Sequence, residues 1–296
     1  MNPRALFVAA MPALFVLLWS TGFIGAKFGL PYAEPLTFLT LRFVLVAGLL
    51  GLAALVTRAP WPRGGRRIGH LVIAGLLVHA IYLGGVFASI HHGLPAAVSA
   101  LIVGLQPLLT AAVAGPLLGE RVGPRQWAGL VLGLGGIVLV VLTKIEIGAA
   151  TPLAVGLSAL ALLGITGGTV YQKRFCADMD LRTGNAIQFA ASALVAGAGA
   201  LLLETRQVAW TAEFVFALGW LVFVLSLGAI SLLLVLIRAG AASRVASYFY
   251  LVPPVTAVEA WLLFDERLAP AALAGMVLVA IGVALAAAPG ADRKIR

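Results

Sequence analysis

The chain has 296 residues, of which 62% are hydrophobic and only 10% charged, with a mean hydropathy of +1.08. Soluble globular chains are roughly 25% charged, so this one lacks the polar surface to face water as a globule. The net charge of +9 sits in short loops between apolar runs, where it sets topology against anionic lipid headgroups, so no nucleic-acid partner is expected.

Each apolar run is long enough to cross a hydrocarbon core of about 30 Å. The runs predict helices at about 6–28, 35–57, 68–90, 95–118, 124–143, 151–172, 183–204, 212–237, 242–264 and 270–288. The reading is an all-α integral membrane protein with ten transmembrane helices. The first run follows Arg4 closely, yet it outlasts a signal h-region, shows no small-residue cleavage site and continues to Lys27, so it is read as a retained helix. The longest gaps, 58–67 and 173–182, hold ten residues each. No soluble domain fits, and any chemistry belongs inside the membrane.

Ten helices put both termini on one side. That side carries Arg4, Arg58, Arg63, Arg66, Arg67, Arg121, Arg125, Lys173, Arg174, Arg182, Arg238, Arg244, Arg293, Lys294 and Arg296, 15 in all, against Lys27, Lys144, Arg206 and Arg267 opposite. Positive charge concentrates on the cytoplasmic side of short loops, so both termini are expected to be cytoplasmic. Arg42 lies inside the second helix, near the external leaflet, placed to snorkel or to bind carbonyls. A single cysteine, Cys176, offers no disulfide and no thiol metal site. No cofactor and no metal are expected.

Taken along the chain, the polar residues at mid-membrane depth are few. Trp19 in the first helix lies deeper than an interfacial belt would place it, so it either lines a cavity or packs in the core. His79 is at the middle of the third helix with Tyr82 three residues on, on the same face. An intramembrane imidazole faces the bundle interior, either to bind solute or to bond a neighbouring helix. The fourth helix carries Ser99, Gln106 and Pro107, and the ninth carries Ser247, Tyr248, Tyr250, Pro253 and Pro254. Rings and hydroxyls together suit a small amphipathic solute, so His79, Tyr82, Trp19, Ser99, Gln106, Ser247, Tyr248 and Tyr250 form the expected substrate site. Pro107, Pro253 and Pro254 remove backbone donors and are expected to interrupt their helices at mid-depth, as gating breaks. Glu259 falls in the outer third of the ninth helix, in reach of Arg42 or Lys27. No acid lies at the midplane, which gives no support for proton exchange unless His79 carries it. Gly129-Leu-Val-Leu-Gly133 has GxxxG spacing, and the nearly apolar fifth and tenth helices are assigned to packing or a dimer face. A monomer is expected, with a dimer as the alternative.

Shifting the chain by 146 residues lays Val103–Val140 on Phe249–Ala286 without a gap, and fifteen of those 38 positions are identical. Pro107 meets Pro253, Thr110 meets Thr256, Glu120-Arg121 meets Glu266-Arg267, Gly129 meets Gly275 and Gly136 meets Gly282. Residues 1–146 and 147–296 are thus read as two five-helix repeats. Because five is odd, the second copy enters the membrane upside down. Inverted repeats around a central cavity are a common architecture of secondary transporters, with the site beside paired broken helices.

The residues Trp19-Ser-Thr-Gly-Phe-Ile-Gly-Ala-Lys27, Leu41-Arg42-Phe43, Gln106-Pro107, Leu118-Gly-Glu-Arg121, Pro124-Arg-Gln-Trp-Ala-Gly129 and Asp265-Glu-Arg267 through Gly275 resemble EamA-type members of the drug/metabolite transporter superfamily. The resemblance covers all ten helices and is strongest to bacterial amino-acid exporters, including those for aromatic amino acids. It implies a ten-helix basket in the bacterial inner membrane, exporting a small solute by alternating access. Small multidrug relatives carry a glutamate in the first helix, which has no acid here, and that favours a zwitterionic or neutral solute. Efflux of drugs, nucleobases or other metabolites is the alternative, and a channel is disfavoured by the duplication. A lipid-modifying enzyme would need a constellation that His91-His92, without an acid or cysteine nearby in sequence, does not supply.

Overall fold

A computed structural model describes residues 3–110, 113, 123–146, 150–229, 232, 251–265 and 270–287. Among them the chain is helical, and the one β-contact is an isolated antiparallel bridge between Ala33 and Val208. In chain order the elements are α1 (Pro3–Gly29), α2 (Pro35–Val56), α3 (Gly65–Gly75), π1 (Leu76–Ile81), α4 (Tyr82–His91), α5 (Ala96–Val103), α6 (Pro124–Glu146), α7 (Pro152–Phe175), α8 (Leu181–Leu203), α9 (Ala212–Gly219), π2 (Trp220–Ala229), α10 (Val252–Phe264) and α11 (Pro270–Ala287). Five continuous segments, 35–56, 65–91, 152–175, 181–203 and 212–229, are long and apolar enough to cross a membrane, and five shorter apolar helices accompany them. The chain is a multi-pass membrane protein.

Helix starts follow from local chemistry. α2, α6, α7 and α11 each open on proline, whose missing N–H costs nothing in a first turn. Thr151 caps α7 by accepting from Ala154 N, and Thr211 caps α9 by accepting from Phe214 N. Asp180 caps α8, accepting from Arg182 N and Thr183 N. Gly93, with φ +90°, turns the chain between α4 and α5, a conformation only glycine adopts freely.

The expected third helix is continuous but not uniform, since α3 and α4 are joined by the π-helical turn π1. The expected eighth is α9 running into π2. Shifted by 146, Leu76–Ile81 becomes 222–227, which falls inside π2. The two wide turns therefore occupy corresponding places in the two halves of the sequence. π-Turns free carbonyls from the i→i−4 ladder, and next to π1 the Ser192 hydroxyl lies 3.0 Å from the Gly75 carbonyl it donates to.

Two pairings join sequence-related helices of the two halves. α2 lies along α8, and α6 along α11. A methyl on Gly136 would strike the carbonyl of Gly275, and one on Gly282 would lie 2.5 Å from the carbonyl of Gly129. As α6 advances from 129 to 136, its neighbour retreats from 282 to 275, so these related helices run antiparallel. The contact is reciprocal, because Gly129 corresponds to Gly275 and Gly136 to Gly282. The fifth and tenth spans thus pack on each other within the chain. α2 and α8 are also antiparallel and are fastened at both ends. At one end the Glu204 carboxylate accepts from Leu36 N and Thr37 N, both at 2.7 Å, while Glu34 accepts from Thr205 N at 2.7 Å. At the other, Arg182 Nη1 donates to Thr57 Oγ1 at 2.8 Å and Thr183 Oγ1 to the Pro60 carbonyl at 2.9 Å.

Candidate functional site

Where α2 crosses α8, Arg42-Phe43 comes to Gln188-Phe189, its own counterpart at the 146-residue shift. The Phe43 and Phe189 ring centroids are 5.7 Å apart. Gly75 brings the α8 backbone against the start of π1, since a Cβ there would lie 2.6 Å from Gln188 Cα. That approach sets His79, in π1, on the face of Phe189. The rings stack with centroids 3.9 Å apart and planes 19° apart, and Phe43 flanks the imidazole at 6.1 Å. His79 is buried, and its Nε2 has no hydrogen-bond partner among the described residues.

Across the same junction the Arg42 side chain reaches π2. Its Nε and Nη2 donate to Ser226 Oγ at 3.2 and 3.0 Å. Only 4% of Arg42 is exposed, which corrects the expectation of a snorkelling side chain. A guanidinium has five N–H donors, so most of its capacity is unused by the described residues. The cation stands within electrostatic reach of both His79 and Tyr82. Tyr82 is buried at the start of α4 and takes a hydrogen bond from Trp19, whose ring also packs on Phe15 at 5.3 Å. A buried cation, an unpartnered imidazole nitrogen and a ring of aromatic faces thus converge on one spot inside the helices.

His79, Tyr82 and Trp19 are brought together, and Ser99 and Gln106 bond elsewhere. Ser99 is in a chain of buried hydroxyls, 3.3 Å from Ser89 Oγ and 3.1 Å from Ser158 Oγ, which ties α4, α5 and α7. Gln106 Nε2 lies 3.2 Å from Thr110 Oγ1 and 3.4 Å from Thr169 Oγ1. The helix is interrupted by a turn at Gly104–Leu105 before resuming at 106, where Pro107 withholds the donor that Val103 would need. Pro253 and Pro254 occupy the first turn of α10, a position that tolerates proline, and the stretch 233–250 before it lies outside the described residues. A Cβ on Gly104 would lie 2.8 Å from Pro253 Cγ, so the α5 break seats on the start of α10. Ser247, Tyr248 and Tyr250 lie outside the described residues. Glu259 pairs with neither Arg42 nor Lys27; its Oε1 accepts from Ser20 Oγ at 2.8 Å, and Lys27 Nζ sits 4.5 Å over the Phe264 ring.

Gln188, Phe189, Phe43 and Ser226 were not singled out from the sequence, and Arg42 was placed outside the site. The repeat held the missing signal, because position 42 plus 146 is 188. Two adjoining clefts, of about 140 and 150 Å³, open instead where Arg67, Leu71, Asp178 and Met179 meet, some three turns along α3 from His79. No group of three His, Cys, Asp or Glu converges among the described residues. Glu34 stands within electrostatic reach of His91, nearer than sequence spacing indicated, but its Oε2 is taken by Thr205 and Arg206.

A model of the EamA-like transporter family matches residues 6–142 and again 152–288. The chain is 28% identical over 293 residues to an uncharacterized transporter of Bacillus subtilis, YvbV, covering 94% of this chain and 90% of that one. It is 26% identical over 281 residues to a probable amino-acid metabolite efflux pump of Escherichia coli, with 91% of each chain covered. The uncharacterized inner membrane transporter YedA of Escherichia coli is 29% identical over 250 residues, 84% of this chain and 79% of that one. One crystal structure superposes with a TM-score of 0.67 at 20% identity, covering 93% of this chain and 94% of the other, a likeness of fold.

Proposed function

The chain belongs to the EamA-like transporter family, and from that membership we propose that it exports amino acids, aromatic ones among them, across the inner membrane by alternating access. Carrying a small solute across a membrane is the work of the family. The amino-acid reading is carried by one observation, the buried Arg42 whose only hydrogen-bond partner among the described residues is the neutral Ser226 hydroxyl. A buried guanidinium without an acid is costly in a membrane, and a solute carboxylate satisfies it with charge-assisted hydrogen bonds. Beside it, His79 Nε2 accepts from the solute ammonium, and Phe43, Phe189, Tyr82 and Trp19 supply faces for an apolar or aromatic side chain. The name of the Escherichia coli relative, an amino-acid metabolite efflux pump, agrees with that solute class.

The mechanism follows from ten helices in two inverted halves, residues 1–146 and 147–296, with both termini cytoplasmic. The antiparallel, reciprocal contacts of α6 with α11 and of α2 with α8 support that arrangement. π1 and π2 border the site from opposite halves, where a shift of hydrogen-bond register lets one side loosen while the other tightens. The break at Gly104–Leu105 adds a third hinge. Membrane lipid surrounds the exposed apolar faces.

Transport by purified protein in vesicles, with labelled phenylalanine and competition by a panel of amino acids, drugs and nucleobases, tests the reading. Amino acids are expected to move and compete, and Arg42→Gln and His79→Ala to lose transport with expression intact. If only drugs or nucleobases moved, the solute would be theirs and the amino-acid reading would fall.

A further inference from the structure

We propose that Glu259, held by Ser20, is the proton-carrying group that couples solute export to the proton gradient. The inference rests on the transport reading above, and it concerns a site apart from the solute residues. Glu259 is on α10, five residues before the helix ends at Phe264, so roughly 7–8 Å inside at the helical rise. Its Oε1 accepts from the Ser20 hydroxyl, which is shared with the Leu17 carbonyl, each at 2.8 Å. Its Oε2 is buried with no hydrogen-bond partner among the described residues. One turn earlier on α10, the fully buried Thr256 hydroxyl is also without a partner among the described residues. Two bare polar atoms face the same interior.

Among the described residues no cation pairs with this carboxylate. Of the two described elements that pack most closely on α10, α5 presents no titratable side chain. α1 presents Lys27, seven residues beyond Ser20, with its Nζ over the Phe264 ring. The nearest acid on α10's own end is Asp265, its C-cap residue. A bare carboxylate oxygen inside protein is expensive as an anion without a cation or donors. A proton arriving from water forms an O–H bond on Oε2, and that bond breaks when the group next meets water, with Ser20 still donating to Oε1.

The arrangement exists in one half only. Shifted by 146, Ser20 corresponds to Thr166 and Glu259 to Val113, and the Thr166 hydroxyl is buried without a partner among the described residues. A single acid on one of two related halves gives a carrier one proton per cycle instead of two. The link to the solute site is short. Ser20 adjoins Trp19, which donates to Tyr82, so movement of α1 against α10 is felt by both. The sequence alone had left His79 as the sole candidate for this role.

Two measurements on the full chain in vesicles decide it. Infrared difference spectra across a pH titration are expected to show a carboxyl C=O band that Glu259→Gln removes. A band that survives the substitution, or no titrating band at all, overturns the proposal without reference to any solute. In the second, an internal pH dye follows protons while labelled amino acids move. Solute-dependent proton flux is expected, with Glu259→Gln losing flux and gradient-driven accumulation to the level of empty vesicles while still exchanging solute at equal pH. Solute movement without protons would sink the coupling and leave the exporter reading standing. Amino acids failing to move while the Glu259 band behaves as expected would sink the exporter reading and leave the proton site supported.

Discussion

Arg42 on α2 and Ser226 on π2, 184 positions apart in the chain, meet through two hydrogen bonds of 3.2 and 3.0 Å to one hydroxyl oxygen. Among the described residues the hydroxyl is the cation's only hydrogen-bond partner, so it fastens the first half of the chain to the π-turn of the second. Ser226→Ala strands the guanidinium in the interior. Hydrogen bonds to charged groups contribute about 1.5–3 kcal/mol, and a loss of that size is expected in the thermal stability of the detergent-purified protein. Removing the charge as well should recover most of it, because an apolar pair leaves nothing unsatisfied. The double variant Arg42→Met with Ser226→Ala should therefore be more stable than Ser226→Ala alone. Equal losses would mean that the hydroxyl does not hold the cation.

The α6–α11 contact makes a sharper test, because neighbouring glycines differ. A Cβ on Gly136 meets the Gly275 carbonyl, whereas one on Gly135 meets nothing within 4 Å. Gly136→Ala should cost about 1–3 kcal/mol through overpacking and lower the yield of folded protein in size-exclusion profiles. Gly135→Ala should be neutral or slightly favourable, since alanine is the better helix former. Gly282→Ala should behave like Gly136→Ala, as its Cβ meets the Gly129 carbonyl and Gly133 N. If the two adjacent substitutions were indistinguishable, the helices would not approach as described.

These glycines were legible in the sequence because their spacing and their recurrence at 146 residues are both compositional facts. Helix bounds were legible for the same reason, with prolines marking the starts of α2, α6, α7 and α11. The π-turns were not. Leu76–Ile81 is an apolar run like its neighbours, and an i→i+5 register leaves no mark in residue type. Nor was the fate of the polar residues. Ser99 and His79 are both buried polar residues of apolar helices, yet only the tertiary crossing of α2 with α8 puts Phe189 on one, while Ser89 and Ser158 claim the other. Arg42 read as a leaflet residue because nothing local announces a partner as distant as Ser226. Glu259 was drawn toward a cation by charge alone, when the neighbouring helix offered a serine.

Asp180 gives a pH-dependent prediction outside the membrane span. Hydrogen bonding from the Arg182 side chain, helped by the Arg182 and Thr183 backbone N–H groups, holds its carboxyl down at about 2 against an ordinary 3.8. A depressed carboxyl stabilises the fold above its unfolded value, and that contribution disappears as pH falls from 3.8 toward 2. Asp180→Ala should cost about 1 kcal/mol as a lost helix cap at neutral pH, with the gap from wild type closing on acidification. Asp180→Asn keeps a capping oxygen but loses the ion pair with Arg182, 2.8 Å away. It should fall between the two, and little of its deficit should remain in high salt. A gap that stayed constant down to pH 2 would assign the loss to something other than this carboxylate.

The last prediction concerns orientation and uses the one native thiol. Cys176 directly follows α7, is 5% exposed, and burial pushes its thiol up. Thiolate is the reactive form, so the wild-type protein should label slowly with maleimide reagents at neutral pH and serve as a quiet background. The Arg63–Arg67 segment, which leads into α3, is exposed and is expected on the side that carries most of the chain's arginines and lysines. A cysteine at Gly64 or Gly65 should react in inverted membranes and be shielded from impermeant reagents in intact cells. A cysteine at Gly93, in the turn between α4 and α5, is one apolar crossing away and should show the opposite pattern. All three positions carry glycine, and nothing lies within 4 Å of a Cβ at any of them, so packing does not stand in the way, although Gly64 and Gly93 have positive φ and Gly65 is the less strained choice. Labelling of the Gly65 variant from outside the cell would place the basic loops externally and reverse the orientation drawn from the charge bias.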